Sequence, residues 1–139
     1  MEQYDLLDKL SYDDAMEIAK RMIGDHLKFD TELSRESTIS GESSSQVVVD
    51  FFSLYESVVV RFGDLRMYRS AVSEMNVNGR MFTRVGFDVD GLHVLLDKDG
   101  RVWEWDEEVL DGPCAPSMWH YVVWVSHLIY DIPLESLNS

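Results

Sequence analysis

The spacing of apolar positions changes character along the chain. Ala15, Ile18, Ala19, Met22 and His26 recur at intervals of three and four, while Glu17, Lys20, Arg21 and Asp25 fall at other angles. That spacing predicts an amphipathic helix over 13–27. Ser11 stands ahead of Asp13 and Asp14, an N-cap followed by acids at the positive end of the helix dipole. Over 46–62 two signals compete. Val47–Val49 and Val58–Val60 favour strand, but the recurrence of Val48, Phe51, Phe52, Tyr55, Val59 and Phe62, and the length of the run, predict a buried helix stopped by Gly63.

The period then shortens to two. Segments 65–69 and 81–87 read as strands, with Asn78-Gly79 as a turn between them. A turn at Asp88 to Gly91 feeds a strand over 92–96, and Asp97-Lys98-Asp99-Gly100 closes a hairpin onto an alternating strand, Val102 to Trp105. Pro113 and Pro116 precede, and Pro133 follows, an apolar stretch in which Met118, Tyr121, Val122, Val125, Leu128 and Ile129 form one wide stripe. A helix over 117–130, central to the core, is expected there. These elements predict an α+β fold: a single antiparallel sheet of about four to six strands, covered by N-terminal, middle and C-terminal helices. At 139 residues the chain suits one domain over 1–139. The Ser-, Thr- and Glu-rich stretch at about 31–45 lacks the apolar residues for a packed element, and is expected to be a mobile loop.

Charge narrows the classes of function. The sequence has 12 Lys and Arg against 26 Asp and Glu, a formal charge of -14. Such a surface repels phosphate backbones and anionic lipid, so nucleic acid and membrane are not expected as ligands, whereas a basic protein would be attracted. Cys114 is the only cysteine, which excludes an intrachain disulfide, and the acidic start lacks the pattern of an export signal. A reducing cytoplasmic setting and a monomer are expected.

Candidate chemistry is sparse. The two Asp-x-Asp-Gly segments, Asp88 to Gly91 and Asp97 to Gly100, lack the remaining ligands of a calcium loop, and read as turns. His120 and His127 share a helix face, but stand about 10 Å apart along its axis, too far for one zinc ion. Cys114 near His120 has no orienting group or oxyanion turn beside it, and reads as a structural thiol. No catalytic residue, cofactor or metal is expected. Trp103 and Trp105 lie on one strand face, as core or as a stacking platform, with Glu104 and Asp106 on the other. Glu104, Asp106, Glu107, Glu108 and Asp111, with Asp88 and Asp90 in the neighbouring turn, form the candidate protein-binding surface.

The run Val85-Gly86, the strand at 92–96, Asp97-Lys98-Asp99-Gly100-Arg101-Val102-Trp103, a polar loop and a closing apolar helix resembles the SUKH superfamily of α+β domains. Phe51-Phe52 to Phe62-Gly63-Asp64-Leu65 is similar to that family's earlier helix, which ends in Gly and opens into the first strand. The resemblance covers about 46–130 in outline. Residues 1–30 lack the aromatic-rich Leu-Pro pattern of many members, and Cys114 to Ser117 replaces their Asn-Ser pair. Many bacterial members are immunity proteins, so the resemblance implies an inhibitor that neutralises a basic toxin of nuclease or deaminase class by direct occlusion. The alternative is a type III secretion chaperone, also small, acidic and α+β, which would bind an effector segment as a dimer.

Overall fold

The computed structural model describes residues 2–25, 27, 29–30, 46–60, 65–88 and 91–130. Four helices are seen among them: α1 (Glu2–Asp8), α2 (Tyr12–Asp25), α3 (Gln46–Leu54) and α4 (Met118–Tyr130). The eight strands are β1 (Phe29–Asp30), β2 (Ser57–Val60), β3 (Leu65–Tyr68), β4 (Ser73–Val77), β5 (Arg80–Asp88), β6 (His93–Leu96), β7 (Val102–Trp105) and β8 (Leu110–Ala115). The fold is α+β, as the apolar pattern predicts. The expected loop at 31–45 lies outside the described residues.

Both long helices begin where their caps stand. The Ser11 Oγ accepts the Asp14 N–H at 3.1 Å, and the Ser117 Oγ accepts the His120 N–H at 3.3 Å. The middle helix is the main correction. It ends at Leu54 rather than reaching 62, and Ser57–Val60 is strand β2, with Val58 opposite Met67 and Val60 opposite Leu65. A β-branched run that can gain a cross-strand partner prefers the ladder over continuing a helix, where its χ1 freedom is restricted.

The sheet is antiparallel throughout, in the order β1-β2-β3-β5-β6-β7-β8, with β4 beside β5. β3 and β4 lie end to end along one edge of β5: β3 faces 86–88 and β4 faces 80–84. The expected hairpin is present, with His93 opposite Trp105 and Leu96 opposite Val102. A register shift between Arg84 and Gly86 bends β5. Gly86 is required there, because a Cβ would meet the Arg66 carbonyl oxygen at 2.5 Å and the Met67 Cα at 2.9 Å.

The sheet buries its two faces differently. Val58, Leu65, Met67, Val85, Val94, Leu96, Val102 and Ala115 face the helices, in one core with Ile18, Met22, Phe51, Phe52, Trp119 and Val122. Trp119 packs 4.9 Å from the Phe51 ring, and its indole N–H donates to the Tyr12 hydroxyl at 3.0 Å, which ties α2, α3 and α4 together. The other face carries a second, smaller core of Val77, Phe82 and Leu95, rimmed by Met75, Trp103, Trp105 and Leu110. Among the described residues no helical one belongs to it. None of the described helices is long and apolar enough to cross a membrane.

Candidate interaction surface

Residues 106–109 join β7 to β8 and form the acidic tip foreseen in the sequence. The turn is built by Asp106, whose Oδ1 accepts the Glu108 N–H at 3.0 Å and the Val109 N–H at 2.7 Å. Those two backbone donors hold the Asp106 carboxyl below its ordinary value, so it stays ionised through mild acid. Glu107 follows in the left-handed region at φ 76, and its side chain is 64% exposed. Glu108 and Asp111 are exposed, and Val109 between them is 61% exposed, the most exposed of the large apolar side chains described. The turn thus presents one apolar side chain among exposed carboxylates.

The structure divides the expected site residues. Glu104 stands on the helix side of β7, opposite Asp111 in the ladder, and accepts the Tyr121 hydroxyl at 2.8 Å. It is half-buried and joins the sheet to α4, away from the exposed tip. Asp88 closes the β5–β6 turn: its Oδ1 accepts the Leu92 N–H at 2.9 Å, while its backbone N–H donates to the Leu92 carbonyl at 2.9 Å. Asp90 lies outside the described residues. The turn containing Asp88 reaches the tip through Glu107, whose Oε2 lies 3.4 Å from where a Gly91 Cβ would stand.

The Trp103–Trp105 pair faces the second core. Trp103 is fixed from several directions: its indole N–H donates to the Asp97 Oδ2 at 2.9 Å, the Arg80 guanidinium lies 4.6 Å from its ring centroid, and the Gly112 backbone is packed against it. Trp105 packs 5.1 Å from His93. Pattern alone left this pair open between core and platform; the contacts make it the rim of a core.

Asp97 was singled out in the sequence only as a turn former, but its carboxylate accepts four hydrogen bonds. Its Oδ1 accepts the Asp99 N–H at 2.9 Å and the Arg101 N–H at 3.0 Å, and its Oδ2 accepts the Arg101 Nε–H and Trp103 Nε1–H, both at 2.9 Å. Burial pushes its carboxyl up, but the Trp103 indole, the two backbone donors and the Arg101 charge outweigh burial and bring it below the ordinary value. The Asp-x-Asp-Gly signature thus marks a hairpin lock.

Ser117 and His120 have the spacing of a hydroxyl–imidazole pair, with Oγ and Nδ1 2.7 Å apart. Ser117 is 4% exposed and His120 3% exposed, and His120 Nε2 is bonded to the Leu10 carbonyl at 2.9 Å. With Nε2–H donating to that carbonyl, which holds α4 against the α1–α2 connection, Nδ1 accepts the hydroxyl of Ser117 at the start of α4, so both ring nitrogens are committed. Burial keeps this imidazole below its ordinary value, and so neutral. Cys114 has its own contact to the Asp111 carbonyl at 3.6 Å. Among the described residues no group of three or more His, Cys, Asp or Glu is placed to hold a metal ion. Comparison of the chain with protein families, with curated proteins and with solved structures finds no match.

Proposed function

We propose that this chain is a non-catalytic, stoichiometric binding protein that docks through the tip of its β7–β8 hairpin onto a basic protein. In keeping with its SUKH-like outline, it neutralises a toxin of nuclease or deaminase class by occluding the active site. The observation that carries this reading is the ordered tip itself. Glu107, Glu108 and Asp111 are exposed around Val109, and Asp106 closes the loop with two hydrogen bonds to its backbone. Pre-organisation lowers the ordering cost of binding, and the carboxylates speed encounter with a cationic surface. An enzyme site for a polyanion is such a surface, and the net charge of -14 favours approach to it.

The experiment takes the product of the adjacent gene as ligand, because a toxin and its antidote are commonly encoded side by side. Inhibition that saturates at one molecule of this chain per molecule of enzyme, with a monomeric free protein, supports the reading. A partner that stays fully active when saturated with this chain contradicts inhibition. A stable dimer that binds an unfolded segment would replace it with the chaperone reading.

A further inference from the structure

The face of the sheet opposite the helices combines two features that the overall charge conceals. Arg80, Phe82 and Arg84 alternate onto this face of β5, and Arg66 stands opposite Phe87 on β3. Arg80 lies 5.2 Å from the Phe82 ring centroid and 4.6 Å from that of Trp103; Arg84 lies 4.5 Å from that of Phe87. Arg84 Nε also donates to the Ala71 carbonyl at 3.2 Å, which fixes its direction. No ion pair among the described residues involves Arg66, Arg80 or Arg84. Asp97 and Asp99 are engaged with Arg101, Glu107 lies 3.9 Å from His93 Nε2, and the Asp88 charge also acts on His93. His93, at the centre of the face and 9% exposed, leaves Nδ1 without a hydrogen-bond partner. In a chain with 26 acidic and 12 basic residues, three guanidiniums on one face, none of them in an ion pair with a described carboxylate, are a local concentration of positive charge.

We propose that this face is a second docking site, for an extended acidic segment of a partner protein whose carboxylates seat on Arg66, Arg80 and Arg84. Arg80 and Arg84 are about 13 Å apart along the strand, the spacing of residues i and i+4 in an extended chain, so alternate Asp or Glu residues meet them in register. The Arg80 and Arg84 guanidiniums, held over aromatic rings, can donate to carboxylates in bidentate fashion. Charge complementarity selects the occupant. A nucleic acid carries a dense, continuous charge that the net charge of -14 opposes, and Phe87 and Trp103 each already hold a guanidinium on a ring face that a base would need. A short peptide brings few charges, and remote repulsion is screened beyond about 8 Å at physiological salt.

The test titrates the full chain with a short peptide alternating Glu and Thr, its Gln–Thr counterpart and oligothymidylate, following the Trp103 indole N–H resonance. Expected are a saturable shift with the Glu–Thr peptide that weakens as salt rises, none with Gln–Thr, and affinity about tenfold lower in an Arg66→Gln/Arg80→Gln variant. Both residues are exposed, so the variant should keep its fold; if it does not, Arg66→Gln alone carries the comparison. No saturable shift, equal binding of the Gln–Thr peptide, equal binding by the variant, or binding of oligothymidylate alone would overturn the proposal. The hairpin tip is unchanged in these variants, so docking of a basic partner there is scored independently.

Discussion

Replacing Asp97 should show how strongly the second face depends on one carboxylate. Asp97→Ala removes an acceptor from the Asp99 and Arg101 backbone N–H groups and from the Trp103 indole. The Arg101 side chain is 37% exposed and stays 3.6 Å from Asp99, so water can replace its lost bond and no energy is assigned to it. At about 1 kcal/mol for each of the other three bonds, the loss is about 3 kcal/mol. For a domain of this length that is a fall in melting temperature of roughly 10 °C. Asp97→Asn keeps an oxygen for the two backbone donors but turns an amide N–H toward Trp103 and Arg101, so it should cost less, about 1–2 kcal/mol. Urea unfolding followed by tryptophan fluorescence measures both, and the Trp103 indole resonance reports the local contact. A loss under about 0.5 kcal/mol for the alanine variant, or equal losses for the two, would refute the assignment of Asp97 as the lock. The same carboxyl sets an acid limb. Its folded value lies below the ordinary 3.8, so the unfolded chain binds the proton more readily; the stabilisation is complete above about pH 3.8 and disappears as pH falls through the folded value. Asp97→Asn should remove that part of the acid loss.

Further predictions follow from the same contacts. Gly86→Ala should destabilise by about 3 kcal/mol or more, because its Cβ meets backbone atoms that cannot swing away, whereas Gly24→Ala, with nothing within 4 Å, should stabilise α2 by about 0.5 kcal/mol; denaturant midpoints of the two give the signs. His120 and His93 both sit below the ordinary 6.5, His120 through burial and His93 through burial and the Arg84 charge. The unfolded state therefore takes up protons first, so stability holds above about pH 6.5 and declines as pH falls below it, a slope that His120→Gln should reduce in melting-temperature profiles. Val109→Ser should leave the melting temperature unchanged, since the side chain is 61% exposed, but should speed dissociation of a partner docked on the tip.

Much of the fold was legible because local chemistry and packing agree at its ends and turns. Ser11 caps the helix it announces, the helix expected after Pro116 begins at Met118, and Gly100 has the positive φ, 81, that the 97–100 turn requires. Where they disagree, the sequence misleads. Val58 and Val59 sit on the helical spacing of Phe51 and Tyr55, but their β-branched side chains find partners on β3, a contact from outside the segment. β8 contains Gly112 and Pro113 and shows no alternation; its pairing is set by β7. The acidic tip was visible as composition, whereas the inward direction of Glu104 depends on Tyr121, 17 residues away. The arginines of the open face were concealed by the net charge, which averages over surfaces of opposite sign.

The central claim is that the β7–β8 tip steers and seats a basic partner. The direct measurement is the association rate of that partner with the wild type and with Glu107→Lys/Glu108→Lys/Asp111→Lys at two salt concentrations. All three side chains are exposed, so the variant should stay folded. Association should slow about tenfold or more at low salt, and the deficit should shrink as ionic strength rises. A folded variant that associates at the wild-type rate at low salt would mean that the tip is only a solvated edge.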